Sequence, residues 1–84
     1  MVTVRLFGLL RLDSGIREMR VEASRVKDVF PLVLKEAERL DAHSALTVEE
    51  LKNCIAVVNG QRAAAGTWLR DGDTVYLLSP AAGG

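Results

Sequence analysis

Residues Val2 to Leu10 alternate in character, with Val2, Val4 and Leu6 on one side and Thr3, Arg5 and Phe7 on the other. A period of two belongs to a strand with one buried face. Asp13-Ser14-Gly15 has turn chemistry, and Ile16 to Ala23 alternates again, with Arg17, Met19, Val21 and Ala23 against Glu18, Arg20 and Glu22. The pattern predicts an N-terminal hairpin. From Val26 the period changes: Val26, Val29, Phe30, Val33, Leu34, Ala37 and Leu40 recur at spacings of three and four, with charged residues between them. This predicts one amphipathic helix, with Ser24 as its N-cap. Pro31 lacks an amide hydrogen, so the helix either starts later than Ser24 or bends at the proline.

Thr47-Val48-Glu49-Glu50 matches a capping box, and Leu46 and Leu51 occupy the positions of a hydrophobic staple, so a short second helical turn is expected there. Cys54 to Val58 is an unbroken apolar run that stops at Asn59-Gly60, a strong turn signal, and Gln61 to Ala65 can return as a short edge strand. A further turn at Leu69-Arg70-Asp71-Gly72-Asp73 leads to a last strand, Thr74 to Leu78. The order is strand, strand, helix, strand, short strand, strand. The helix must cover a sheet to bury its apolar stripe. The simplest result is an α+β fold of the β-grasp, ubiquitin-like kind: a mixed sheet of 4–5 strands on one main helix, the last strand beside the first. Residues 1–84 form a single domain with a tail over 79–84.

Composition narrows the function more than the fold. Eleven basic residues balance eleven acidic ones, so no net field draws the chain to nucleic acid or an anionic membrane. The lone cysteine, Cys54, excludes an internal disulfide, and neither a signal peptide nor an apolar run long enough to span a membrane is present, so a cytoplasmic protein is expected. His43 is also alone, which leaves no metal-ligand spacing. No phosphate loop or nucleophile–base arrangement occurs, and the pairs Glu36/Glu38 and Glu49/Glu50 fall on charge-rich helical segments that read as solvated faces. The chain alone is not expected to be an enzyme.

The remaining oddity is the terminus, Ser79-Pro80-Ala81-Ala82-Gly83-Gly84. Two glycines in the last two positions arise by chance in about 0.5% of chains at average usage. Ala81, Ala82, Gly83 and Gly84 carry almost no side-chain bulk, so this segment can thread a narrow channel while a partner reads its backbone. The strands add a docking surface. With Val2, Val4 and Leu6 toward the helix, Phe7 faces away, and Tyr76 and Leu78 on the last strand join it in an exposed apolar patch.

The opening Val2-Thr3-Val4-Arg5-Leu6-Phe7-Gly8, the central Val57-Val58-Asn59-Gly60, the turn Leu69 to Val75 and the ending Leu78 to Gly84 together resemble the MoaD/ThiS-type family of ubiquitin-like sulfur carriers, most of all the small subunits of molybdopterin synthase. The resemblance covers the whole chain. It implies that an ATP-dependent adenylating enzyme activates the Gly84 carboxylate and that a sulfurtransferase or cysteine desulfurase supplies sulfur to make a thiocarboxylate. The tail then enters the large subunit, where the sulfur is given to a pterin precursor. It also implies partner contacts at Phe7, Arg11 and Leu78, tail threading by Pro80, Ala81, Ala82 and Gly83, no metal or cofactor on this chain, and ATP used only by the activating enzyme. Ser79 departs from a pair of prolines common in the family, and Gln61-Arg62 is polar where the family often has an apolar residue. Cys54 and Trp68 read as structural residues, Trp68 against the sheet edge. Alternatives in view are a carrier for thiamine or another pathway, a ubiquitin-like modifier, and an interaction module with an inert tail.

Overall fold

Strand β1 (Val2–Phe7) puts Val2, Val4 and Leu6 into the core and turns Thr3, Arg5 and Phe7 outward in the computed structural model, which describes residues 1–80. The strand ends because Gly8 adopts φ 63, and the chain then forms helix α1 (Leu9–Ser14), closed by Gly15 at φ 73. A positive φ at both ends is open to glycine at little steric cost. The expected hairpin turn at Asp13-Ser14-Gly15 is therefore the end of a helix, and the first strand stops well before Leu10. Leu10 is buried in the core beside Ile16.

Strand β2 (Glu18–Val21) is shorter than the alternation from Ile16 to Ala23 suggests, and it pairs antiparallel with β1. Helix α2 (Val26–Leu40) buries Val26, Val29, Val33 and Ala37 completely. Its N-cap is Arg25, one residue past the expected Ser24; Asp28 reaches back so that its carboxylate accepts the Arg25 amide at 3.1 Å. The Ser24 carbonyl instead accepts the Leu69 amide at 2.8 Å. Pro31 lies inside the helix, which starts ahead of it and continues beyond it.

The capping box is present as read: the Glu50 amide donates to Thr47 Oγ1 at 3.1 Å, the Thr47 amide donates to Glu50 Oε1 at 3.2 Å, and helix α3 (Val48–Lys52) follows. Leu46 and Leu51, the staple pair, are both buried. Strands β3 (Ile55–Val58) and β4 (Gln61–Ala63) form a hairpin through Asn59 and Gly60, both at positive φ. β4 is confined to three residues, so Ala64 and Ala65 lie outside it. Strand β5 (Thr74–Leu78) completes the sheet.

The sheet order is β2-β1-β5-β3-β4, with β5 parallel to β1 and antiparallel to β3. The last strand thus occupies the middle, flanked by the first. Val4, Leu6, Val75 and Leu77 supply the sheet's side of the core, and α2 lies over them with its valines. This is the α+β, β-grasp architecture, with α1 as an addition.

Candidate functional site

Strand register assembles the outer face of the sheet. Phe7 pairs with Leu78 and Leu78 with Ile55; Arg5 pairs with Tyr76, Tyr76 with Val57, and Val57 with Arg62. Residues opposite one another share a face, so an apolar patch of Phe7, Leu78, Ile55, Tyr76 and Val57 spans three strands. The Phe7 and Tyr76 rings meet edge to face with centroids 5.2 Å apart, a favourable aromatic arrangement. Phe7 is therefore covered by an aromatic neighbour of the patch, which leaves Tyr76 37% exposed.

Cations border this patch. The Arg5 guanidinium lies 5.7 Å from the Phe7 ring centroid, and its Nε is 3.5 Å from Glu18. Arg62 ends the row on the β4 side. A face of this composition suits a partner with an apolar centre and acidic edges. Ile55 and Val57 were absent from the expected contact set. The signal for them was the unbroken apolar run in β3, since a strand lying between two others has apolar positions available on both faces.

β5 leads directly from this patch to Ser79 and Pro80. The Ser79 hydroxyl accepts the Leu10 amide at 3.1 Å, which ties the first turn of α1 to the residue where the chain leaves the sheet. Gly8 passes so close that a Cβ there would stand 3.3 Å from Ser79 Oγ. Pro80 is exposed, and a cleft of about 240 Å³ beside it is lined by Leu9, Leu10, Glu49, Glu50 and Asn53. Partial burial, and then the Asp13 carboxyl, hold the Glu50 carboxyl above its ordinary range. Arg11 is exposed on α1, on an element that contacts β5 rather than in the sheet row itself. Ala81, Ala82, Gly83 and Gly84 lie outside the described residues.

At the end of β5 away from Ser79, two turns are locked together. The Asp73 carboxylate accepts the Arg70 amide at 2.7 Å and the Asn59 side-chain amide at 2.8 Å, and Asn59 Oδ1 accepts the Thr74 amide at 3.0 Å. The Arg70 amide and then Asn59 hold Asp73 below its ordinary pKa. Asn59 therefore serves both as a left-handed turn residue and as a cross-link.

The residues set aside on sequence grounds have these places. Cys54 sits just before β3, half-buried, and burial pushes its thiol up to about 11. Trp68 does not pack into the sheet edge; it is 65% exposed, with the Arg25 guanidinium stacked 3.9 Å from its ring centroid. His43 is exposed between α2 and α3. No group of three metal-ligating side chains gathers among the described residues, and no helix there is long and apolar enough to cross a membrane.

Fold and site together define a small protein of ubiquitin-like architecture whose central strand carries an outward apolar patch as far as Ser79 and Pro80. No family model and no curated protein matches the sequence. Solved structures do match. A protein from Pyrococcus furiosus described as molybdopterin converting factor subunit 1 is 25% identical, with a TM-score of 0.68, over 95% of this chain and 97% of its own. In a complex of subunits 1 and 2 of the molybdopterin-converting factor of Helicobacter pylori, the match is 26% identical with a TM-score of 0.63, over 99% of this chain and 97% of the other. SAMP1 of Haloferax volcanii, at 24% identity, shares the fold with a TM-score of 0.72 over 99% and 98% of the two chains. The chain is thus similar in fold to ubiquitin-like proteins of the molybdopterin-converting-factor subunit 1 kind, in line with the resemblance to MoaD/ThiS-type carriers that its sequence carries.

Proposed function

We propose that the chain is a sulfur carrier of the molybdopterin-synthase type, acting as the small subunit that brings a Gly84 thiocarboxylate to a large subunit. The observation that carries this reading is the continuity of β5: Tyr76 and Leu78 of the outward patch lie on the strand that runs into Ser79, Pro80 and the Ala-Ala-Gly-Gly end. A partner that grips the patch thereby aims the terminus. The subunit 1 and 2 complex from Helicobacter pylori supports a two-subunit arrangement.

The chemistry follows from the terminus. A carboxylate is a poor electrophile. The adenylating enzyme joins it to AMP from ATP and releases pyrophosphate; a sulfur nucleophile from the sulfurtransferase or desulfurase then attacks the carbonyl carbon and expels AMP. Where that nucleophile is a donor persulfide, a second thiol of the donor cleaves the S–S bond of the resulting acyl disulfide and is itself left in a disulfide; where it is sulfide, the thiocarboxylate forms directly. In the large subunit its sulfur attacks a carbon of the pterin precursor and displaces an oxygen leaving group, and water then cleaves the acyl carbon–sulfur bond of the resulting thioester, leaving the sulfur on the pterin and returning the Gly84 carboxylate. Phe7, Leu78 and Arg11 contact the partner, and Pro80, Ala81, Ala82 and Gly83 thread its channel. ATP stays with the activating enzyme.

Intact-mass measurement after incubation with the adenylating enzyme, ATP and a sulfur source tests this. The chain gains the mass of one oxygen-to-sulfur exchange, and deletion of Gly84 abolishes the gain. An unchanged mass under conditions that load a control carrier overturns the proposal, and an isopeptide bond to a lysine instead makes the chain a modifier.

A further inference from the structure

On the helical side, opposite the sheet patch, α2 and α3 leave an open groove of about 390 Å³ between them. Phe30, Pro31 and Leu34 of α2 form one wall, Val48 and Leu51 of α3 the other, and Ala65 closes one end. Val48 is 48% exposed, so its side chain stands open to the groove. The charged residues lining the groove are Lys27 and Lys52 alone, and neither is in an ion pair among the described residues. The groove is thus lined by apolar side chains and two lysines, with no carboxylate in its lining among the described residues.

Its shape narrows the occupant. Lys27, Phe30, Pro31 and Leu34 stand at i, i+3, i+4 and i+7, one face of α2, over about 10 Å of helical rise. The complement of such a face is the ridge of another helix, whose apolar side chains at the same spacing fill the floor while its flanks meet the rim. An acyl chain would leave much of an open groove wetted. We infer that this groove docks an acidic amphipathic helix of a partner protein, with two or three apolar side chains on the floor and carboxylates against Lys27 and Lys52. The site lies on the face away from Phe7 and Tyr76 and is independent of the sulfur-carrier reading, so a chain engaged through its sheet and tail still offers it.

The test is a nuclear magnetic resonance titration of the isotope-labelled full chain with a synthetic helical peptide bearing leucines at i, i+3 and i+7 and glutamates along both flanks. Shifts are expected at amides of α2, α3 and Ala65, with Phe7 and Tyr76 unmoved. The double variant Lys27→Glu/Lys52→Glu, which alters only exposed side chains, is expected to bind at least ten-fold more weakly and to recover binding to a peptide with lysines in place of the glutamates. Absence of shifts at 1 mM peptide, shifts centred on the sheet face, or equal binding of the two peptides by the unaltered chain overturns the inference. Dodecanoate displacing the peptide at equal or lower concentration also overturns it, in favour of a small anionic amphiphile.

Discussion

A thiol in a protein proposed to handle sulfur draws attention, yet Cys54 is held where it reacts poorly. Its thiol is pushed from 9 to about 11 by burial, and the reactive species is the thiolate. Two pKa units lower the thiolate fraction at pH 8 about 100-fold. Alkylation by iodoacetamide at pH 8 is therefore expected to be about 100-fold slower in the native chain than in denaturant, and Cys54→Ser is expected to leave sulfur loading unchanged. Loss of loading in that variant would return the sulfur role to Cys54. The same burial was visible in the sequence only as a cysteine at the head of an apolar run, enough to suggest a structural role though not its chemical inertness. Arg25 and Trp68 show the opposite case: an exposed indole gains its partner from the N-cap of a helix far away in sequence, which no local pattern reveals.

Among the elements, α2, α3 and all five strands could be read from periodicity and capping chemistry, because their signals are local. Thr47 and Glu50 cap within one turn, and Asn59-Gly60 needs only its own backbone preferences. Helix α1 is different. Gly8-Leu9-Leu10 continues the alternation of β1 closely enough to look like more strand, and the group that accepts the Leu10 amide in the first turn of α1 is Ser79, 69 residues away. That contact gives Ser79, which stands where the family the sequence resembles often has a proline, a hydrogen bond that a proline ring cannot accept. Ser79→Ala is expected to destabilise α1 by about 1 kcal/mol, the usual worth of a lost helix cap, seen as faster hydrogen exchange at the Leu10 amide. Ser79→Thr keeps the hydroxyl and is expected to restore protection. Exchange at Leu10 that ignores both variants would show that Ser79 does not anchor the helix.

The whole molecule presents two faces of different character: a sheet patch of Phe7, Tyr76, Leu78, Ile55 and Val57 bordered by arginines, and a helical groove bordered by lysines. Parity along β1 and β5 was enough to place Phe7, Tyr76 and Leu78 together before any coordinates, but the contribution of Ile55 and Val57 depends on β3 lying beside β5, a long-range pairing. Because the patch is outside the core, Phe7→Asp is expected to weaken binding to the large subunit by at least ten-fold, the scale of an interfacial hot spot, while its thermal unfolding midpoint shifts by only a few degrees. Calorimetric titration and thermal denaturation separate the two effects; unchanged affinity would remove the sheet face from the partner interface.

The position of β5 bears on how the chain is made. Its central strand follows the other four in chain order, and its pairing with β1 joins Thr3 to Thr74, a contact of high order that closes late. Until then β1 and α2 wait with their apolar faces uncovered. A product that stops short of Thr74 lacks the middle of the sheet rather than an edge, and with it Tyr76 and Leu78. A chain cut before Thr74 is thereby deprived of the surface and of the segment that follows it together, so the outward patch and the path to Ser79 are acquired in one step.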